Sequence, residues 1–194
     1  MNRIDMINEF LQLFKESIYH LYEIEGDIVE YNVNERCMAA VVFAFIKARW
    51  DMSKASPKYH VDFEYNREGL NGVPKELICR YLKDDNKRPH HIIPDLIFHE
   101  RGSKSNDNNL CIIEFKKFGV DPSDDIVKLK EMTRQDGEGK FKYKIGCHIV
   151  FGKTANLTKI EVFINGKSRL EGIVANMEDI INEALEILIN ENII

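Results

Sequence analysis

Cysteine is scarce in this 194-residue chain, and no two cysteines are spaced as a Cys-x-x-Cys pair. The cysteines are Cys37, Cys79, Cys111 and Cys147, spread evenly among apolar neighbours. Because no metal-binding or redox pair is evident, we interpret them as buried, reduced thiols in a cytoplasmic protein.

Long apolar runs are also missing. The longest uncharged apolar stretch covers residues 38–46, which is too short to cross a bilayer. The first ten residues carry Asp5 and Glu9 within an amphipathic pattern, unlike a secretory signal peptide. We therefore expect a cytoplasmic location and no membrane partner.

Positive charge is not in excess, since 27 Lys and Arg stand against 32 Asp and Glu, for a formal net charge of -5. This balance argues against a protein that coats nucleic acid purely through charge. A nuclease is still compatible with it if the basic residues cluster on one face. The length and the ordinary apolar content suit one globular domain, with at most a helical extension.

What the sequence does contain is an alternation of helical and strand patterns. They predict helices over residues 2–24, 35–49, 74–83, 122–134 and 177–190, and strands over residues 59–66, 92–99, 110–117, 144–151 and 159–165, with a turn at Asn165-Gly166. The polar loop 101–109 joins its two flanking strands into a hairpin. The interleaved order predicts an α/β fold, with a mixed sheet and helices on both of its faces.

The second strand of this hairpin carries a charged motif. Glu114 and Lys116 are two residues apart on it, so their side chains share one face and stand about 6.6 Å apart along the strand. Their neighbours, among them Phe115, are apolar, which indicates an interior strand where unpaired charges are costly. Asp95 lies on the first strand of the hairpin and is expected opposite Glu114.

Two carboxylates and one ammonium group would then converge. Carboxylates are hard oxygen ligands suited to Mg²⁺, and bound Mg²⁺ can activate water against a phosphodiester. The ammonium of Lys116 can position that water or stabilise charge on the phosphate. An ordinary structural salt bridge is the alternative. A second Glu-x-Lys, at residues 138–140, lies in a polar loop where solvation explains it.

The order of these residues resembles the PD-(D/E)xK nuclease superfamily, which includes many restriction endonucleases. Pro94-Asp95, followed by Glu114-Phe115-Lys116 on the next strand, carries the resemblance. Glu35 opens the apolar helix, where the superfamily often places a further acidic residue. The chain looks like a small bacterial member. Other segments that look similar are residues 61–67, 74–75, 125–130 and 143–146, so that the resemblance covers residues 33–152.

The resemblance implies a restriction-endonuclease-like αβββαβ core and metal-dependent cleavage of phosphodiester bonds. It implies Asp95, Glu114, Lys116 and Glu35 as catalytic residues. It also implies Mg²⁺ or Mn²⁺ as the cofactor, held by Asp95, Glu114 and the carbonyl of Phe115.

The expected domain organisation follows from the same resemblance. Residues 1–194 form one nuclease-like domain, in which residues 1–26 are an N-terminal helical extension and residues 33–152 are the core. Because we see no separate targeting domain, we expect specificity to need a homodimer or a protein partner.

Other polar residues near the motif have a functional and a structural interpretation. Glu35 can instead complement its helix dipole. Glu64 and Asn66 are expected on a solvent-exposed strand face, Lys117 at a sheet edge, and Gln135 at a polar helix end.

Histidines and basic residues surround the hairpin. The histidines His90, His91 and His99 lack zinc-site spacing, which favours structural or phosphate-contacting roles. The basic residues suit either a rim for a polyanion or solvated loops, and they are Lys83, Lys87, Arg88, Arg101 and Lys104. Aromatic residues interleaved with basic ones, as in single-strand-binding proteins, are not evident.

Three functions are compatible with these observations. The leading hypothesis is a nuclease acting on nucleic acid, with DNA as the first expectation and RNA left open; the resemblance suggests restriction, phage defence or mobile-element biology. The second is a catalytically inactive nuclease-fold protein that binds nucleic acid or a protein partner. The third is an α/β scaffold in which the motif is a salt bridge.

Overall fold

The structure is a computed structural model that describes residues 1–53, 58–68, 72–77, 90–103, 105–137 and 139–194. The α-helices are α1 (Arg3–Ile24), α2 (Gly26–Glu30), α3 (Glu35–Ser53), α4 (Ser123–Thr133) and α5 (Met177–Asn190). The strands are β1 (Tyr59–Phe63), β2 (Arg67–Glu68), β3 (Val73–Pro74), β4 (Glu76–Leu77), β5 (His90–His91), β6 (Leu96–Glu100), β7 (Asn109–Lys117), β8 (Ile145–Phe151), β9 (Lys159–Ile164) and β10 (Lys167–Ile173). Short 3-10 helices cover Asn106–Asn108, Ala155–Leu157 and Val174–Asn176.

The main sheet has six strands in the order β1-β6-β7-β8-β9-β10. β7 and β8 pair in parallel, whereas the other neighbouring strands pair antiparallel. Two further two-stranded ladders pair β2 with β3 and β4 with β5. The α/β fold with a mixed sheet flanked by helices is therefore confirmed, and so is the antiparallel pairing of β6 with β7.

Strand alternation in β7 separates two apolar clusters. Cys111, Ile113 and Phe115 belong to the larger cluster, which includes the buried faces of α1, α3 and α5. Ile112 belongs to a smaller cluster with Leu129 and Met132 of α4. Because side chains alternate between the faces of a strand, the polar residues at positions 114 and 116 lie on the α4 side.

The two longest helices, α1 and α3, begin at capped positions. The Asn2 side chain accepts from the Asp5 N–H at 2.9 Å, and a reciprocal bond from the Asn2 N–H to the Asp5 carboxylate completes a capping box. The Asn34 side chain likewise accepts from the Cys37 N–H at 2.9 Å. The helices predicted over residues 2–24 and 35–49 are confirmed, and α3 continues to Ser53.

Two predicted strands have wrong bounds. The strand predicted over residues 59–66 ends at Phe63, because Glu64 adopts a left-handed backbone with φ of 50°. The strand predicted over residues 92–99 begins only at Leu96. Pro94 has no N–H to donate to a ladder, so Asp95 lies just outside the strand instead of within it.

The helix predicted over residues 74–83 is wrong in its described part, and the remainder lies outside the described residues. Pro74 belongs to β3, and Glu76 and Leu77 form β4. The Lys75 N–H donates to the Asn66 carbonyl at 2.7 Å, and the Lys75 carbonyl accepts from the Ile92 N–H at 3.0 Å. These non-local bonds outweigh the local helical pattern.

β10 and the short α2 were not predicted. β10 follows the predicted turn, where Asn165 and Gly166 have φ of 52° and 73°, as a tight hairpin turn requires. It is an edge strand of mostly polar residues with an irregular register between Ser168 and Leu170. Such a strand lacks the apolar alternation by which sequence patterns reveal strands.

The cysteine prediction is correct at two of the described positions. Cys111 and Cys147 are buried and free, and burial raises the pKa of both thiols, that of Cys147 to about 12. Cys37 is exposed, so the prediction is wrong there, and Cys79 lies outside the described residues. In the described parts of the chain, each helix is either too short or too polar to cross a bilayer.

Candidate functional site

Asp95 extends from the end of β6 towards β7. The register pairs Leu96 with Ile113, which places Asp95 beside Glu114, as predicted. The Asp95 Oδ2 atom accepts from the Phe115 N–H at 2.8 Å, so its carboxylate replaces the backbone acceptor that β6 no longer supplies. The N–H and C=O of one strand residue project from the same edge, so the Phe115 carbonyl lies on this side too.

Glu35 approaches the same edge of β7 from the first turn of α3. Its Oε2 atom accepts from the Lys117 N–H at 3.0 Å, and its Oε1 atom lies 3.5 Å from the Lys116 Nζ atom. The N–H groups of residues 115 and 117 project from one edge of β7. Two carboxylates therefore line the part of β7 that extends beyond β6.

Glu114 is the most deeply buried member of the cluster, with 1% of its surface exposed. Its Oε2 atom lies 2.7 Å from the Lys128 Nζ atom on α4. Its Oε1 atom is buried and has no hydrogen-bond partner among the described residues. A buried carboxylate oxygen without a partner is costly, so this atom identifies a place where a cation or donor fits.

Lys116 pairs with α4 rather than with its motif partner Glu114. The Lys116 Nζ atom lies 2.6 Å from Asp125 Oδ2, and the other Asp125 oxygen lies 3.4 Å from Lys128 Nζ. Asp125 and Lys128 are three residues apart, which places them on one face of a helix. Neither was predicted as a site residue. The available signal was their three-residue spacing and their closeness in sequence to Leu129, which faces inward.

The cluster has a surplus of negative charge. Its four carboxylates are those of Glu35, Asp95, Glu114 and Asp125, and its two ammonium groups are those of Lys116 and Lys128. With every group ionised, two negative charges are left without a counter-charge in the described residues. A divalent cation would neutralise them.

The pKa values of the cluster reflect burial of the carboxylates and the carboxylates around the lysines. Burial raises the pKa of Glu114 well above its ordinary value, and the neighbouring Asp95 adds to the rise. Burial also raises the pKa of Asp95. Burial alone would lower the pKa of the two lysines, but the carboxylates around Lys116 and Lys128 raise it. Each of these four groups therefore holds a proton more tightly than it would in water.

His148 is a further buried group at the cluster. It pairs with Glu114 in the β7–β8 register, so both side chains lie on the α4 side of the sheet. Its Nε2 atom has no hydrogen-bond partner in the described residues. Burial lowers the pKa of His148, although the charges of Asp125 and Glu161 oppose this. It was missed because nothing in the local sequence relates position 148 to position 114.

A second polar cluster on the same side of the sheet involves other predicted residues. The His99 Nε2 atom lies 3.0 Å from Asp62 Oδ2, and the Arg101 Nε–H donates to the same oxygen at 2.7 Å. Tyr65 packs on the His99 ring, with 5.0 Å between the ring centroids. His99 thus has a structural partner, and the charge of Arg101 is largely neutralised by Asp62.

The other candidate residues have partners away from the carboxylates. Glu64 pairs with Arg36, and the Gln135 side chain donates to the carbonyls of Thr133 and Tyr143. The Lys117 ammonium donates to the Asn32 carbonyl at 2.8 Å. Asn66 accepts a backbone bond from Lys75, and His91 lies 3.7 Å from Glu76. Lys83, Lys87, Arg88, Lys104 and Glu138 lie outside the described residues, as does the side chain of His90.

The two lysines of the cluster already contact carboxylates that would hold an ion. Within the described ranges, no three His, Cys, Asp or Glu side chains are arranged to hold a metal ion. The Lys128 ammonium lies between Glu114 and Asp125, and the Lys116 ammonium lies between Asp125 and Glu35. Binding of an ion at Glu114 therefore requires Lys128 to shift or to share the carboxylate.

Comparison with protein-family models, with curated proteins and with solved structures finds no match to this chain.

Proposed function

We propose that the chain is a metal-dependent nuclease of the PD-(D/E)xK type that hydrolyses phosphodiester bonds in nucleic acid, with DNA as the first substrate to test. One observation carries the proposal. The buried Glu114 carboxylate has an oxygen without a partner beside Asp95, in a cluster whose four carboxylates exceed its two ammonium groups. Carboxylate oxygens in surplus are the ligands that Mg²⁺ and Mn²⁺ prefer.

The order of elements around the site supports the same proposal. The series α3, β1, β6, β7, α4 and β8 follows the sequence α, β, β, β, α, β, with the short strands β2 to β5 inserted after β1. The proposed residues all lie on or next to members of this series: Glu35 starts α3, Asp95 precedes β6, and Glu114 and Lys116 lie on β7. This order of elements supports our proposal that they form the αβββαβ core of a restriction-endonuclease-like fold.

Each residue has a role that its position allows. The carboxylates of Asp95 and Glu114 and the carbonyl of Phe115 would hold the ion, which when bound supplies Lewis-acid activation of water and neutralises phosphate charge. Lys116, with 16% of its side chain exposed, would turn from Asp125 to orient that water or to stabilise the phosphate in the transition state. Glu35 would fix the end of β7 through the Lys117 N–H.

A second candidate function is supported by the lysines themselves. Each ammonium group contacts two carboxylates, as in a structural ion-pair network. A catalytically inactive protein that binds nucleic acid or a protein partner would keep such a network intact.

Cleavage assays with site variants distinguish the two functions. Plasmid DNA, single-stranded DNA and RNA are incubated with wild-type protein and Mg²⁺ or Mn²⁺, beside Glu114→Gln and Lys116→Ala. We expect cleavage by the wild type and a loss of about 100-fold or more in each variant. Lys130→Ala, an exposed lysine on the same helix α4, is the control and retains activity.

Thermal melting completes the test. We expect Glu114→Gln to melt at or above the wild-type temperature, because it removes a buried charge from a cluster with surplus negative charge. Lys116→Ala should melt somewhat lower but stay folded, because Asp125 loses one counter-ion and keeps Lys128. Wild-type protein that cleaves none of the substrates would favour the second function, a catalytically inactive protein that binds nucleic acid or a protein partner. Active variants would refute the site assignment, and unfolded variants would show that the motif is a structural salt bridge.

A further inference from the structure

A large groove opens at the carboxyl ends of β7 and β8, on the side of the sheet that packs against α1 and α3, and it adjoins the candidate site at Glu35. Its volume is about 1080 Å³, and Lys117 and Phe118 at the end of β7 contribute to its wall. Ligands of α/β proteins commonly bind outside the carboxyl ends of strands. The Lys117 N–H contacts Glu35, whose carboxylate also faces Lys116, so the groove and the candidate site share one segment of backbone.

The groove wall combines exposed apolar side chains with basic ones. Phe118 is 77% exposed and Leu157 is 58% exposed. The basic side chains are those of Lys117, Lys153 and Lys159, and Glu30 is the one acidic lining residue among the described ones. Lys153 and Lys159 form no ion pair within the described ranges, so their charges are available to a ligand. A groove lined by three cationic side chains and an exposed aromatic ring complements an anionic ligand with a flat face.

We propose that this groove binds an unpaired strand of nucleic acid as it leaves the candidate site, an inference that rests on the proposed nuclease function. A base can stack on the Phe118 ring, because every base has a π-face, while the strand's phosphates contact Lys153 and Lys159. Paired bases are stacked on each other inside a duplex and cannot reach the ring. The groove therefore distinguishes single-stranded from duplex substrate.

Binding in the absence of metal tests this inference separately from cleavage. A short fluorescein-labelled oligonucleotide is used as single-stranded DNA, as single-stranded RNA and as a DNA duplex, in buffer with EDTA, and its anisotropy is measured with the full chain. We expect the wild type to bind a single strand more tightly than the duplex, and Phe118→Ala to weaken single-strand binding about tenfold. Phe118→Trp keeps a stacking surface and should retain the affinity. Met52→Ala removes an equally exposed apolar side chain, 78% exposed, and should have no effect.

Charge variants test the phosphate contacts. We expect Lys153→Ala to weaken single-strand binding and to reduce the dependence of log affinity on log salt concentration by about 0.7. Lys167→Ala, an exposed lysine on β10, is the matched control. Binding of either single-stranded probe more tightly than the duplex supports the inference. The tighter of the two single strands shows whether the groove prefers deoxyribose or ribose.

Three results would overturn the inference. The first is wild-type protein that binds no oligonucleotide or prefers the duplex. The others are Phe118→Ala protein that binds a single strand as tightly as the wild type does, or that loses equal affinity for single strand and duplex. Single-strand binding without any cleavage would refute the proposed function and leave the groove assignment intact. Cleavage that depends on Asp95, without any effect of Phe118→Ala, would refute the groove assignment alone.

Discussion

Lys128 Nζ lies 2.7 Å from Glu114 Oε2 and is the only hydrogen-bond donor to that carboxylate in the described part of the chain. The two residues are 14 positions apart, one on α4 and one on β7. The ion pair therefore joins the crossover helix to the central strand of the candidate site. A metal ion bound to Glu114 would compete with the Lys128 ammonium for this carboxylate.

Replacement of Lys128 tests whether a metal ion can take its place. Lys128→Met leaves the buried Glu114 carboxylate without its counter-ion, which we expect to destabilise the fold by about 3–5 kcal/mol in EDTA. Mn²⁺ should restore much of this loss, because binding to the folded state alone adds stability. The measurement is urea unfolding with EDTA and with Mn²⁺. Lys130→Met is the exposed control, and no recovery of Lys128→Met in Mn²⁺ would contradict the metal assignment.

Asp95 should be required for metal affinity. Its carboxylate is a proposed ligand, so we expect Asp95→Ala to weaken Mn²⁺ binding at least about tenfold. Isothermal titration calorimetry of the wild type and the variant measures this difference. Asp179→Ala, an exposed acidic residue on α5, provides the comparison and should bind Mn²⁺ like the wild type. Equal affinities of wild type and Asp95→Ala would count decisively against the site.

The position of α4 should control the site, because this helix carries Asp125 and Lys128. A Cβ atom added at Gly146 would lie 2.9 Å from Thr133 Cγ2 and 3.1 Å from Leu129 Cδ2. We expect Gly146→Ala to push α4 away from β8, to destabilise the fold by about 1–3 kcal/mol, and to weaken Mn²⁺ binding as well. A Cβ atom at Gly137 meets nothing within 4 Å, so Gly137→Ala is the control in both measurements. Unchanged Mn²⁺ affinity in a destabilised Gly146→Ala would show that α4 does not set the site geometry.

The cluster of Asp62, His99 and Arg101 should make the fold sensitive to acid. Burial alone would raise the pKa of Asp62, but the hydrogen bonds from Arg101 and His99 lower it below its ordinary value of 3.8. A carboxyl group with a lowered pKa stabilises the fold above pH 3.8, and this contribution is lost as the pH falls towards the pKa of the folded state. Burial also lowers the pKa of His99 from 6.5, so the unfolded chain takes up that proton first and stability begins to fall below this pH.

Urea unfolding at neutral pH and below pH 3.8 tests this expectation. The free energy of unfolding of Asp62→Asn should lie well below that of the wild type at neutral pH, and the difference should shrink in acid as Asp62 becomes protonated. Asp179→Asn should match the wild type throughout. A difference between Asp62→Asn and wild type that does not change with pH would refute the role of the Asp62 charge.

Much of the local structure was predictable from the sequence. The pattern of β7 predicted an interior strand with Glu114 and Lys116 on one face, because apolar alternation determines burial within the strand itself. The polar loop before β7 predicted the antiparallel pairing with β6 and hence the place of Asp95. The capped helices α1 and α3 and the apolar face of α5 were recognised from their helical spacing.

The composition of the site was decided by tertiary structure. Asp125, Lys128 and His148 reach the motif because α4 crosses over between the parallel strands β7 and β8. Local spacing in the sequence does not specify how the residues of α4 align with those of the sheet. The same crossover turns Lys116 towards Asp125 and gives Glu114 a partner on another element. The groove at Phe118 likewise forms only where the ends of β7 and β8 meet α1, α2 and α3. Local sequence thus determined which face each side chain occupies, whereas the packing of distant elements determined its neighbours, because burial and charge neutralisation are satisfied across the whole chain.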